Sequence, residues 1–184
     1  MRIIAGKFKK TSLLVPKKIS FRPTSDYVKE SFFSSISNII EDSIFLDLFS
    51  GSGSIGIEAL SRGANRVFFV DKSIESIKIL KNNLKFLKIE NNSFGIIRND
   101  FKKAIKNFFK EKIYFDIIYA DPPYEKNFSE KILSLLKDFM ILKKNGIIAI
   151  EHSKRESFNY AIKELVLFKI LEYGDTKITI FKRS

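Results

Sequence analysis

Apolar residues along the chain alternate between two rhythms, short unbroken runs and positions spaced three or four apart. The runs at 44–48, 67–70, 94–97, 114–120 and 146–150 read as buried strands. Between them the spacing predicts helices over 54–61, 73–87 and 101–109, and a further helix marked by Ile132, Leu133, Leu136 and Phe139. In the helix from Ser73, Ile74, Ile77, Leu84 and Leu87 mark an apolar face, while Lys78, Lys81, Lys85 and Lys88 fall mainly elsewhere and read as a solvated face. Strand and helix in strict alternation are the βαβ signature of a parallel sheet. Ahead of this region, a break at 21–26 is followed by Val28, Phe32, Phe33 and Ile36, predicting a helix over 25–39. Residues 3–6 and 13–15 are expected to pair as a small hairpin or to lie as an extended arm. At the other end, runs at 166–171 and 178–181 joined through Tyr173-Gly174-Asp175-Thr176 predict an antiparallel hairpin. The expected architecture is α/β, with a mainly parallel seven-stranded sheet, a C-terminal antiparallel hairpin and a short N-terminal extension. The 184 residues are read as one domain, a basic extension over 1–24 and a core over 25–184.

Composition narrows the class. Hydrophobic residues make up 45% of the chain and charged residues 29%, and no apolar stretch approaches the roughly 20 residues that span a bilayer. The N-terminus breaks into charge before a signal-peptide apolar region forms, and there is no cysteine. A cytoplasmic chain is expected, and cysteine nucleophiles, disulfides and thiolate metal sites are excluded. Formal net charge is +12, which points to a polyanionic partner. Its distribution is uneven. Residues 1–30 carry Arg2, Lys7, Lys9, Lys10, Lys17, Lys18, Arg22 and Lys29 against Asp26 and Glu30, a surplus of six that is half of the +12. Lysine far outnumbers arginine, so compositional bias accounts for part of the total, but bias does not explain clustering.

Two turns carry candidate chemistry. The first, Asp47-Leu48-Phe49-Ser50-Gly51-Ser52-Gly53, follows a strand and opens a helix, and with Gly56 it satisfies G-x-G-x-x-G. Asp71 lies at the end of the next strand, followed by Lys72, where a carboxylate accepts from ribose hydroxyls. Read alone this is a dinucleotide fingerprint, but Asp47 would repel a pyrophosphate and suits a ligand with a positive amino-acid head group. S-adenosylmethionine has that head group and a sulfonium, and no phosphate. Asp100, ahead of Phe101, fits a contact to an adenine amino group; the same position suits a helix N-cap, and both can hold together.

The second turn, Asp121-Pro122-Pro123-Tyr124, ends the run at 114–120, so both turns are expected at one edge of the sheet, where open α/β folds bind ligands. An exocyclic base amino group is a weak nucleophile because its lone pair is delocalised into the ring. The Asp121 carboxylate and the Pro122 carbonyl can accept its two hydrogens, Pro123 stiffens the loop, and Tyr124 offers a face for an unstacked base. No metal is needed, since a sulfonium is already an activated methyl donor. The single histidine, His152, follows a strand end and is read as structural.

With these residues the chain resembles class I S-adenosylmethionine methyltransferases, and more narrowly the bacterial small-subunit ribosomal RNA guanine-N2 methyltransferase family. The resemblance runs through Met1-Arg2-Ile3-Ile4-Ala5-Gly6, Arg22-Pro23-Thr24, residues 46–53, Glu58-Ala59-Leu60-Ser61-Arg62-Gly63-Ala64, Asn83 and Asp121 to Tyr124. It implies a Rossmann-like class I methyltransferase fold, S-adenosylmethionine as cofactor, no metal, and ribosomal RNA or the assembled 30S subunit as partner to a monomer. Carried onto this chain, it implies cofactor binding by Asp47, Phe49, Ser50, Gly51, Ser52, Gly53, Asp71, Lys72, Asp100 and Phe101. It implies catalysis by Asp121, Pro122, Pro123 and Tyr124, and RNA contacts by Arg2, Lys7, Lys9, Lys10, Arg22 and Thr24. Ser50 stands where Ala is frequent in the family, Asp71 where Glu is common, and Lys9-Lys10 where a Gly-Arg pair is usual. Three alternatives stay open: an adenine-N6 DNA methyltransferase, for which the residues ahead of position 44 are too few to form a recognition domain; a nicotinamide-dependent dehydrogenase; and a non-catalytic nucleotide-binding RNA module. A protein glutamine methyltransferase would carry Asn at position 121.

Overall fold

A computed structural model of the protein describes residues 1–15, 26–123, 127–156 and 162–184. Across these residues five α-helices and seven strands follow one another as α1 (Asp26–Ser35), β1 (Ile44–Asp47), α2 (Ser54–Ser61), β2 (Arg66–Asp71), α3 (Ile74–Phe86), β3 (Phe94–Arg98), α4 (Phe101–Lys110), β4 (Phe115–Ala120), α5 (Phe128–Asp138), β5 (Leu142–Ser153), β6 (Leu165–Tyr173) and β7 (Thr176–Arg183). The sheet order is β3-β2-β1-β4-β5-β7-β6. Strands β1 to β5 are parallel, and β7 inserts antiparallel between β5 and β6.

Because side chains alternate across a strand, each central strand feeds two cores. Phe45, Ile117, Tyr119 and Ala149 pack on the side covered by α1, α2 and α3. Leu46, Ile118, Ala120 and Ile148 pack on the side covered by α4 and α5. Burial on both faces is why these strands are continuous apolar runs.

Element identities match the sequence reading, and the differences lie at ends. Helix α1 stops at Ser35 rather than Ile39: the Ser35 hydroxyl donates back to the Phe32 carbonyl at 2.7 Å, and the chain continues in three-residue turns. Strand β5 starts at Leu142, ahead of the apolar run at 146–150. Its polar start, Lys143-Lys144-Asn145, lies beside a register shift between Phe115 and Ile117, and Lys143 pairs with Asp116 at 2.8 Å. Gly146 is required there, since a Cβ would stand 2.9 Å from the carbonyl oxygens of Asp116 and Lys143.

Of the two forms expected for residues 3–6 and 13–15, the hairpin is the observed one. Arg2 and Ser12 form an antiparallel bridge, Ile3 donates to Thr11 at 2.9 Å, and Ile3 and Leu13 are buried in the core. Lys29 corrects the charge reading. It counts toward the basic N-terminus in the sequence, yet its side chain is fully buried, with Nζ 3.4 Å from the Glu58 carboxylate. Burial lowers its pKa, and Glu58 acts against that shift. No described helix is long and apolar enough to cross a membrane.

Candidate active site

The sheet order reverses between β1 and β4: after β1 the chain turns toward β2 and β3, and after β4 toward β5. Such a switch point opens a crevice at the carboxyl ends of the two strands. Asp47 is in register with Tyr119, and the Leu48 amide donates to the Tyr119 carbonyl at 2.9 Å. The two sequence-predicted turns therefore face each other across this crevice, one leaving β1 and the other leaving β4.

The glycine turn is a tightly bonded unit. The Gly53 amide donates to the Ser50 carbonyl at 2.7 Å, and Ser50 donates to Val70 of β2 at 2.9 Å. Gly53 takes a φ of 84°, open to glycine at little cost, and a Cβ there would meet Leu80 of α3 at 2.3 Å. Asp71 braces the turn from β2: one carboxylate oxygen accepts from the Gly51 amide at 2.8 Å and the other from the Ser73 amide at 2.8 Å. Asp47 accepts from the Gly56 amide in the first turn of α2 at 2.9 Å and is buried. Burial pushes its pKa up to about 7; the Gly56 amide opposes that shift and the Asp71 charge adds to it.

Across the crevice, Asp121 is half-buried, Pro122 buried and Pro123 exposed. The Asp121 carboxyl is held well above the usual carboxylate range, first by burial and then by the charges of Glu151 and Asp47. Glu151, at the far end of β5, is buried and accepts from the Tyr119 hydroxyl at 2.6 Å. Ala120 and Ile150 are in register, so the carboxylates that follow them are neighbours, Asp121 just beyond the end of β4 and Glu151 near the end of β5, which runs on to Ser153. Three carboxylates, Asp47, Asp121 and Glu151, thus converge from β1, β4 and β5. Among the described residues, neither Asp47 nor Asp121 has a salt-bridge partner.

The remaining predicted residues divide. Phe49 and Phe101 meet at 5.3 Å between ring centroids and both contact Phe128, at 6.0 and 5.6 Å, an aromatic cluster that starts in the glycine turn and packs into the core on the α4 and α5 side. Asp100 caps α4, accepting from the Lys102 amide at 2.9 Å, and its neighbour Asn99 donates from its backbone to the Asp71 carbonyl at 3.1 Å. Lys72 is exposed beside Asp71. Ser50 and Ser52 are buried in the turn, and the Ser50 hydroxyl has no hydrogen-bond partner among the described residues. Lys7, Lys9 and Lys10 are exposed on the arm, whereas Arg2 pairs with Asp26 at 2.8 Å. Arg22, Thr24 and Tyr124 lie outside the described residues. His152 is buried, with Nε2 2.8 Å from the Thr179 hydroxyl and Nδ1 2.9 Å from the Ser153 carbonyl, as its structural reading expects.

Tyr119 and Glu151 are members of the site that sequence reasoning did not assign to it. A signal existed, because Glu151 ends an apolar run just as Asp121 does.

A family model described as conserved hypothetical protein 95 matches residues 1–182. The chain belongs to this family. Over 183 residues it is 37% identical to the "Putative rRNA methyltransferase YlbH" of Bacillus subtilis, covering 100% of this chain and 99% of that protein. It is 38% identical over 157 residues to the "Ribosomal RNA small subunit methyltransferase D" of Haemophilus influenzae, covering 84% of this chain and 79% of that protein. Among solved structures, the "putative methylase HI0767" of Haemophilus influenzae superposes with a TM-score of 0.81 at 31% identity, covering 99% of this chain and 97% of that one. The "Putative methyltransferase yhhF" of Escherichia coli superposes with a TM-score of 0.85 at 27% identity, covering 100% and 97%. The family's seven-stranded sheet is the Rossmann-like methyltransferase fold that the sequence predicts.

Proposed function

We propose that the protein transfers the methyl group of S-adenosylmethionine to the exocyclic N2 amino group of a guanine in small-subunit ribosomal RNA. The observation that carries this reading is the acidic crevice, where buried Asp47 and half-buried Asp121 lie near buried Glu151 and neither aspartate is paired with a described basic side chain. Buried charge of one sign is costly unless it is neutralised by protonation or by a ligand of opposite sign. A cation with amino and sulfonium groups fits that requirement, while a pyrophosphate would add to the repulsion. The Ser50 hydroxyl, which has no hydrogen-bond partner among the described residues, and the neighbouring rings of Phe49 and Phe101 fit a nucleoside-bearing ligand at the glycine turn. The names carried by the relatives support rRNA as the substrate class.

The cofactor supplies a methyl carbon on a positively charged sulfur and leaves as a neutral thioether. The chain's residues do the rest. Asp121 accepts one amino hydrogen and the Pro122 carbonyl the other, so that the nitrogen lone pair turns toward the methyl carbon. With the methyl-donating chemistry supplied by the bound cofactor, the methylated nitrogen would have a proton to lose, and Asp121, its pKa raised by burial and by Glu151 and Asp47, would take it. Asp71 and Asp47 hold the glycine turn, and in this reading Asp71 would accept from ribose hydroxyls and Asp100 from an adenine amino group. Lys7, Lys9 and Lys10 hold RNA phosphates.

The test is incubation with labelled S-adenosylmethionine and ribosomal small subunits that lack the modification, followed by mapping of the labelled nucleoside. N2-methylguanosine is expected. Label in N6-methyladenosine overturns the guanine reading, and tight binding of NAD with none of S-adenosylmethionine overturns the whole.

A further inference from the structure

The N-terminal arm reaches the glycine turn through one side chain. Asn83, inside α3 and fully buried, accepts at Oδ1 from the Leu14 amide at 2.8 Å and donates from Nδ2 to the Leu14 carbonyl at 3.0 Å. Its amide thus pairs with Leu14 as a neighbouring strand would. The same Nδ2 donates to the Ser52 carbonyl at 2.9 Å.

This third bond acts on the Ser52–Gly53 peptide plane, whose other polar group, the Gly53 amide, donates to the Ser50 carbonyl. A peptide plane flanked by a glycine at positive φ turns over easily unless both its ends are held. Here both are, one by the turn itself and the other by Asn83. The rest of the arm is anchored to α2, the helix that the turn opens. Glu58 accepts from the Ile4 and Ala5 amides at 2.8 and 3.0 Å, the Ser61 hydroxyl from Phe8 at 2.9 Å, and the Ser61 carbonyl from Lys7 at 2.7 Å. At Gly6, with φ 79°, an added Cβ would lie 1.7 Å from the Ser61 carbonyl oxygen, so the docking leaves no room for a side chain.

We propose that Asn83 is a positioning residue for the methyl-donor site, and that residues 1–15 form part of that site's support rather than only a basic handle for RNA. The inference rests on the donor reading of the glycine turn. Donor affinity is therefore predicted to respond to changes in the arm that touch neither donor nor turn.

Calorimetry with S-adenosylmethionine on the full-length wild type, Asn83→Ala and Gly6→Ala tests this, together with steady-state kinetics on ribosomal subunits. In Asn83→Ala the donor Kd and KM are expected to rise about tenfold, the scale of one buried hydrogen bond to a functional backbone group, while kcat at saturating donor changes by less than about threefold. Gly6→Ala is expected to raise donor Kd in the same direction, because it lifts the arm off Ser61 and loosens Leu14 on Asn83. Unchanged donor Kd in both folded variants overturns the proposal. If Asn83→Ala does not fold, Gly6→Ala and hydrogen exchange of the wild type decide: a protected Gly53 amide that loses protection in Gly6→Ala supports the link, and exchange at equal rates overturns it. A wild type that does not bind S-adenosylmethionine sinks the proposed function itself. A wild type that binds it, with variants that bind as tightly, sinks only this inference.

Discussion

The two sides of the crevice use the same device, a carboxylate at the end of a buried strand, and load it differently. On the glycine-turn side, Asp71 and Asp47 are bonded to backbone amides of Gly51, Ser73 and Gly56, so their charge first serves to shape the chain. On the opposite side, Asp121 receives no hydrogen bond from the described backbone and sits against a second acid, Glu151, itself held by Tyr119. Backbone amides favour a carboxylate's charged form, while burial beside like charge disfavours it. One side is therefore pre-built, and the other keeps its capacity for whatever enters.

Removing Asp121 should have the largest effect. Asp121→Ala is expected to lower kcat by about a thousandfold or more, the scale of losing a preorganised group at the reacting atom, with donor Kd changed only a few-fold. Single-turnover methylation and calorimetry on the same preparation check this, and loss of both together would make the loop structural. Asp71→Ala should behave in the opposite way. It leaves the Gly51 and Ser73 amides without their acceptor, so donor affinity is expected to fall by about 1–3 kcal/mol and the melting temperature to drop with it. A variant with wild-type donor affinity would show that the brace is dispensable.

The same contrast explains what was legible in the sequence. Asp47, Gly51, Gly53, Asp71 and Asp121 were visible because strand ends and glycine turns are local signals, and the alternation of runs and spaced positions placed them at one edge of the sheet. Helix α2 has its predicted bounds, since a glycine turn and Arg62-Gly63 frame it. What escaped depends on partners distant in sequence. Lys29 reads as surface charge until Glu58 is brought to it, and the polar start of β5 reads as loop until β4 supplies its register. Tyr119 passes as core and Glu151 as a strand end until the two are bonded. Asn83 carried a family resemblance but no role, because nothing nearby in sequence reveals that it joins Leu14 to Ser52.

Titration gives a smaller effect, and it is one that the two sides share. Without donor, the raised pKa values of Asp47 and Asp121 mean that the folded protein holds protons the unfolded chain has already released. Their contribution to stability is then complete below the ordinary carboxylate range and is lost as pH rises, for Asp47 through about 7. A bound cation reverses the preference by favouring the ionised acids. Donor affinity is therefore expected to rise between pH 5 and about 7, with protons released on binding. Calorimetry near pH 6 in two buffers of different ionisation enthalpy measures that release. Equal heats in both would show that neither acid changes charge when the donor binds.

The smallest effect belongs to the arm's surface, where charge is decoupled from both sides of the crevice. Lys7, Lys9 and Lys10 are exposed, whereas Arg2 is engaged by Asp26 and Lys29 is buried, so the arm's usable charge is less than its composition suggests. Neutralising the three lysines together should flatten the salt dependence of RNA binding by about 0.7–0.9 in log-log slope for each phosphate that is no longer neutralised. Arg2→Ala should change it less, because that side chain must first leave its carboxylate partner. Donor affinity should stay at the wild-type value in the triple variant, since the arm's link to the glycine turn runs through the backbone of Leu14 and not through its lysines. A slope that does not move would assign the three lysines to the chain's general lysine content, and a donor Kd that moves with it would mean that arm charge and arm docking are not separable.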